Sequence, residues 1–596
     1  MRSMSLAAFA ALVAVSTSSY AASDVADATM RGDHAALRAA LDAKLDVNAP
    51  QPDGATALHW AAYRGDAEAV RLLLGADATP AVANRAGATP LSLACIAGNA
   101  EIIELLLDAG VDANERLPNG ETALMMATRT GRPEAVELLL ARGADVNAAE
   151  TLRGTTPLMW AVAYEHPAIV ALLVERGADV AARSKLAPRG RRPYLADTTR
   201  ERIADFARGV GQAGRAIPVD LGRGPQGRPV TDEDLFGNDG DDAEPAAPPT
   251  AAPRAAAPPA QGAPPAPPSD EDVDAPPRNA GPEQWGGLTP LVFAARQGAL
   301  ESTRLLLAGG ADVNQTTEYG WTPLLAAIHN RYYELALFLL ANGADAKLGN
   351  KGGWSPLYLA TDNRNIEGGD YPTRKADRDH LELIDALLAR GADVNARMSS
   401  STETRTIFTH QWLHEEGATP LLRAAQSGDV ALVKLYLENG ADAKLATEDG
   451  TTALMVAAGI GWVEGVTYEW SPAQTLETAR LLLDLGVPVD AQNLDGQTAL
   501  MGAAHKGRND VVRLLVDRGA DLALRDIGSR DTIHVLAGLT WQAIDYADGL
   551  VRVGVQSAIP HPETAALLRE LMIARGLPVP PVGRTLDSIC VVDICK

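Results

Sequence analysis

The chain has 596 residues, more than one hydrophobic core sustains, so it divides into several bodies. Only 5% of it is aromatic, and alanine and leucine carry much of the apolar content, a mixture that suits short helices better than broad sheets. A formal net charge of −23 repels phosphate backbones and anionic headgroups, which sets aside nucleic acid and a membrane surface as partners.

In chain order, "MRSMSLAAFAALVAVSTSSYAAS" comes first, with one arginine, an apolar run from Leu6 to Val15 and small residues at Ser19 and Ala21. This is the layout of a cleavable signal peptide over residues 1–21, with cut after Ala21. The alternative is a buried first helix; the run is too short for a bilayer span of about 20 residues. No cysteine follows it for lipid anchoring, and no later stretch is long and apolar enough to span, so a periplasmic or secreted chain without a stable membrane anchor is expected.

From Gly54 the stretch "GATALHWAAYRGDAEAVRLLLGADA" returns, opened by Gly87, Gly120 and Gly154, then by Gly287, Gly320, Gly353, Gly417, Gly450 and Gly496. Uninterrupted steps are 33 residues, and 34 once, a period that marks a stacked array. Each unit accounts for its own residues. The glycine permits a tight backbone before the first helix. Thr56 and its counterparts Thr89, Thr122, Thr156, Thr289, Thr322, Ser355, Thr419, Thr452 and Thr498 cap that helix, and proline or alanine follows at its first position. The "LLL" run is the buried face of a second helix that ends at "GAD". No unit can cover its own apolar face, so neighbours must.

The G-x-T-P-L-x-x-A-A and L-L-L-x-x-G-A-D-x-N patterns resemble ankyrin repeats over most of 22–186 and 285–596. The resemblance implies an all-α repeat fold, a solenoid of helix-turn-helix units with short hairpin-like finger loops. Five units lie in a first array (22–186) and seven in a second (285–596), joined by 187–284; the whole is an exported, bacterial-type arrangement. Met30 to Asn48 resembles a truncated first unit, and "GLTWQAIDYADG" with "HPETAALLRELMIARGLP" a degenerate last one. The family's frequent histidine survives only as His59, which reads as a packing or hydrogen-bonding residue. Cys95 stands where neighbouring units carry small residues and reads as a packed thiol.

Within 187–284, "RRPYLADTTRERIADFARGVGQAG" offers one helix with Ile203, Phe206 and Val210 on a face, suited to covering the end of the first array. The Pro/Ala-rich stretch after it should stay extended and disordered, at roughly 3.1 Å per residue, and act as a spacer of tens of ångströms, with a P-x-x-P ligand as the alternative. "GRGPQG" at 222–227 lacks the following helix a dinucleotide site needs, and the acidic run from Asp232 lacks calcium-loop ligands at Phe236 and Ala243. In the tail, Cys590 and Cys595 are close enough for a disulfide loop in an oxidising compartment; a redox or metal pair lacks both C-x-x-C spacing and a nearby histidine.

The resemblance implies a non-catalytic scaffold that needs no cofactor and holds a protein partner through finger tips and inner helices. Candidate contacts are Tyr319, Trp321 and Trp354 at the finger bases, and Tyr63, Arg64, Arg129 and Tyr164 after the A-A positions; Trp60 and Trp160, by contrast, read as core. The three finger-base aromatics serve either as an interface hot spot or as packing against one another and the inserts. A different reading is an enzyme, hydrolytic or metal-dependent, built by the inserts at 363–379, 398–416 and 461–475. It would use His410 and His414, four apart but with Gln411 where a zinc hydrolase places glutamate. A third is a structural spacer.

Overall fold

A computed structural model describes residues 24–187, 285–365, 375–399, 413–464, 467–527, 540–551 and 559–584. Among these residues the chain is a succession of helix pairs, and the β pairing amounts to the two-residue strands Leu186–Ala187 and Trp285–Gly286 with one isolated bridge between Arg116 and Thr122. Twelve pairs follow one another, five before the interruption and seven after. The truncated first unit folds as Asp24–Arg31 and His34–Asp42, and the degenerate last one as Ala543–Ala547 and Pro562–Ala574.

The local reasons match the sequence. Thr89, Thr122, Thr289, Thr322, Ser355, Thr419, Thr452 and Thr498 each accept a hydrogen bond from the backbone N–H three residues on, satisfying a donor the helix leaves open. At Thr56 the cap is doubled: His59 Nδ1 accepts from the Thr56 N–H at 3.1 Å, and Nε2 faces the Ala88 carbonyl at 3.1 Å. The buried His59 therefore joins two repeats, the hydrogen-bonding role expected of it.

Neighbouring repeats are tied at two places. Finger backbones pair along the stack, as in Arg85 N to Asp53 O at 2.9 Å and Ile527 N to Asp495 O at 2.9 Å. The asparagine of "GADVN" does the second job. Asn395 Nδ2 donates to Gly440 O at 3.1 Å while its Oδ1 accepts from Asp442 N at 2.9 Å. Asn48, Asn114 and Asn314 each make the same accepting bond to the following repeat, and each donates to a backbone carbonyl there. One amide thus satisfies a donor and an acceptor of the next turn.

Two compact units are present, described here as residues 24–157 and as residues 158–186 with 285 onward. The division falls after Pro157, inside the fifth repeat. That repeat is seated directly on the sixth. Ser184 N donates to Leu288 O at 2.9 Å, Leu288 N donates back to Ser184 Oγ at 2.9 Å, and Arg183 reaches Thr316 O at 2.6 Å. The outer helices Pro167–Glu175 and Leu300–Ala308 pack together. Length tells how far a spacer can reach, not how far apart its ends are held, and the apolar face of the fifth repeat needs a neighbour. The helix expected around 203–210 lies outside the described residues, as do 1–23, the glycine-rich and acidic motifs of the interruption, and Cys590 and Cys595. Cys95 is a buried free thiol whose pKa burial pushes far up.

Replacing Asn395 with alanine removes both inter-repeat bonds of one amide. The expected cost is about 1–2 kcal/mol, read as a lower urea midpoint for the second unit with unchanged helical circular dichroism.

Candidate functional site

The ninth and tenth residues after each opening glycine end the inner helix. On a bare stack they point away from the core, and their exposure reports whether the inner face is open. In the first unit they are Tyr63–Arg64, Ile96–Ala97 and Arg129–Thr130. Tyr63 is 64% exposed and Ile96 46%, Arg64 and Ala97 are exposed, and Arg129 and Thr130 are half-buried. In the second unit Tyr164 is exposed, Arg296 is buried and His329 is half-buried with Trp321 edge-on to it at 5.2 Å. Further along, the same positions are closed: Asp362 is 1% exposed, Gln426 3%, His505 1% and Lys506 7%.

What closes them is an insert in the tenth repeat. Between the inner helix Ala453–Ala458 and the outer helix Pro472–Asp484, residues 459–471, described except for 465 and 466, fold back over the helix ends. The exit requires glycine on both sides. Gly459 has φ 139° and a Cβ there would collide with the Gly502 carbonyl, while a Cβ on Gly502 would lie 2.8 Å from Ile460 N. Trp470 N then donates to Ser427 O at 3.1 Å and its Nε1 to Asn365 Oδ1 at 2.9 Å. The Arg364 guanidinium stacks over the Trp470 ring at 4.5 Å, and Tyr468 meets that ring edge-on at 5.6 Å. Glu469 pairs with Arg508 at 2.6 Å and with Lys506 at 3.2 Å. The Lys506 ammonium lies 5.7 Å from the centre of the Trp462 ring.

Beneath the insert the closed face is ionic. Arg423 Nε donates to Asp362 Oδ1 at 2.7 Å, its Nη1 to Ser427 Oγ at 3.1 Å and its Nη2 to Asn365 O at 2.9 Å, with both charged side chains buried. Arg364 pairs with Asp429 at 2.7 Å. Burial lowers the Lys506 pKa although Glu469 opposes it. For Glu469, burial works upward and is outweighed by Lys506, Thr475 and Arg508, so its pKa is lowered. Burial and the charge of His561 bring His505 down to about 4.

The candidate contacts sort by unit. Trp354 and Tyr319 are buried, and Trp354 packs edge-on to Tyr358 at 5.3 Å; Trp321 is half-buried. Of the two roles open to these finger-base aromatics, Tyr319 and Trp354 take packing, while Trp321 stays half-buried against His329. Tyr63, Arg64 and Tyr164 are exposed and Arg129 is half-exposed. Trp60 and Trp160, read as core, are half-buried and meet Tyr63 and Tyr164 at 6.0 and 6.1 Å. His410 lies outside the described residues and His414 is exposed; among the described residues no three metal-ligating groups come together. Of the inserts considered for a catalytic site, residues 363–365 and 461–475 meet in the ionic and aromatic packing above, while 366–374 and 400–412 lie outside the described residues. Sequence reading missed Ile96 and this network. Tyr63 and Ile96 share a repeat position, which the spacing alone could have shown, whereas Asp362–Arg423 joins residues 61 apart through an insert.

The ankyrin repeat model (three copies) matches residues 25–116, 109–184, 274–350, 291–398, 373–468 and 421–526. The chain belongs to the ankyrin repeat family, generally a non-catalytic protein-interaction fold. It is 37% identical over 106 residues to ankyrin repeat and SOCS box protein 16 of Mus musculus, 18% of this chain and 22% of that one. It is 34% identical over 107 residues to ankyrin repeat domain-containing protein 63 of Mus musculus, 18% of this chain and 25% of that one. Against ankyrin repeat protein R664 of Acanthamoeba polyphaga mimivirus the identity is 28% over 113 residues, 17% of this chain and 68% of that one. The chain thus spans about a quarter or less of the mouse relatives it matches.

Asp362→Ala leaves Arg423 buried without its carboxylate and should cost about 3–5 kcal/mol, seen as an earlier urea transition of the second unit. Stability should also depend on pH. The His505 pKa is about 4 in the fold and 6.5 as a free side chain, so below pH 6.5 the unfolded chain takes a proton that the folded one refuses. Stability falls from pH 6.5 towards 4, by about 2 kcal/mol at pH 5 from this group. His505→Gln should flatten that part of the profile.

Proposed function

We propose that the chain is a non-catalytic scaffold of the exported, bacterial type that holds a protein partner in the cell envelope through the inner face of its first unit. The observation behind this reading is the contrast at one repeat position: Tyr63 and Ile96 stand open, whereas Asp362, Gln426 and His505 are sealed by a segment of the same chain. Interfaces concentrate their energy in such aromatic and arginine side chains, and Arg64 and Arg129 flank the apolar pair. The ankyrin family is an interaction fold, which supports binding as the activity. Export is supported by the apolar run Leu6 to Val15 and the small residues before Ala22.

Two measurements test this. The protein recovered from the envelope fraction should begin at Ala22 by intact mass; an uncleaved chain in the cytosol defeats the export part. Affinity capture with wild type should recover a partner that Tyr63→Ala/Ile96→Ala loses, with unchanged circular dichroism. Trp354→Ala should behave differently, lowering thermal stability by about 3–5 kcal/mol through the cavity it leaves. Capture unaffected by the double substitution defeats the assignment to this face.

A further inference from the structure

The closed face of the second unit shows an occupant in place. Tyr468–Glu469–Trp470 lies along the ends of the inner helices. Its backbone bonds to Ser427, its carboxylate to Lys506 and Arg508, and one indole is held by Arg364 and Asn365. Counted from the opening glycine, Lys506 is the tenth residue of its repeat, and Arg64 is the tenth residue of the second repeat. His505 and Tyr63 correspond in the same way. The open face therefore presents Arg64, which donates to the Met30 carbonyl at 3.2 Å, at the position from which Lys506 holds Glu469 on the closed face, and it presents Tyr63 where His505 packs on Trp462 and Tyr546.

Charge points the same way. The inner helices Ala57–Arg64, Pro90–Ala97 and Ala123–Arg129 contain no carboxylate, and they carry Arg64 and Arg129. The outer helices Ala67–Gly75, Ala100–Asp108 and Pro133–Ala141 carry Glu68, Glu101, Glu104, Asp108, Glu134 and Glu137. Those helices also carry Arg71, and Glu68, Glu101, Glu104 and Asp108 are paired with Arg38, Arg71 and Arg142, so the contrast lies in the absence of carboxylates from the inner helices themselves. An acidic segment therefore meets Arg64 and Arg129 and no carboxylate on the inner helices, and opposed charge steers encounter while fixing register.

We infer that the open inner face of repeats two to four takes an extended segment of a partner protein in which a glutamate or aspartate sits between aromatic residues, in the manner of Tyr468–Glu469–Trp470. The carboxylate pairs with Arg64, and the rings pack on Tyr63 and Ile96. This rests on the reading that the face binds protein at all, and the test separates the two.

The full chain is used to select from a displayed library of randomised nine-residue peptides, and enriched peptides are then titrated at two salt concentrations. The expected result is enrichment of acidic residues next to aromatics. Binding should be kept by Arg64→Lys, and be weakened about tenfold by Arg64→Glu, by the peptide's Glu→Gln change and by raised salt. Peptides that depend on Tyr63 and Ile96 but carry no acid, or that ignore Arg64→Glu, overturn the inference and leave the protein-binding face standing. Peptides indifferent to Tyr63→Ala/Ile96→Ala, or no enrichment over an unrelated control protein, overturn both.

Discussion

Everything in this chain depends on a repeat being unable to bury its own apolar face. An inner helix of seven or eight residues and an outer one of nine are far below the length at which an isolated helix holds in water. The free energy comes from the next repeat, and the sequence is arranged so that contact can be made. Small residues such as Ala61, Ala94 and Ala127 lie wholly buried on the inner helices, where a larger side chain would hold neighbours apart. The asparagine amides and finger backbones then fix the register. The fifth repeat shows how strictly the need operates. An insertion of about a hundred residues follows it, and the sixth repeat still seats on it through Ser184, Leu288 and Arg183.

A stack made this way always has an inner face, and the two units treat it differently. In the first unit none of the described residues covers Tyr63 and Ile96 as the insert covers the second unit, and both stand exposed. In the second unit an insert of the tenth repeat covers the corresponding ends. Covering is not free, because the loop must leave the repeat through a gap two glycines wide, Gly459 against Gly502, and must satisfy the polar groups it buries. It does so with Trp470 and Glu469, which between them reach three other repeats. Such a face gains stability and gives up recognition, which is why binding is assigned to the open one.

Much of the fold was legible in the sequence because its information is local and repeated. The 33-residue step, the capping threonines, the glycines after the outer helices and even the atypical terminal units all rest on residues close to one another in sequence. The site was less legible. Trp321 and Trp354 look alike one repeat apart, yet one is half-buried against His329 and the other buried against Tyr358. Tyr63 stays exposed although it meets Trp60 of its own repeat edge-on. The boundary after Pro157 was illegible altogether: composition marks where the repeats stop, and the position of the division depends on which repeats remain in contact.

The chemistry of the covered face follows from what lies beneath it. An apolar cover would have stranded Lys506, and a buried ion without its partner costs far more than a well-packed apolar contact returns. Each charge is therefore matched inside the stack or by the insert: Arg423 by Asp362, Asp429 by Arg364, and Lys506 by Glu469. Replacement of these pairs by apolar residues of similar volume can be stabilising in other proteins, so their value here lies in specificity. A loop held by Glu469 between Lys506 and Arg508, and by Trp470 beneath Arg364, has one register, whereas an apolar loop on an apolar groove could slide. The same logic makes a charged, aromatic-flanked segment a better-registered occupant of the open face than a merely greasy one.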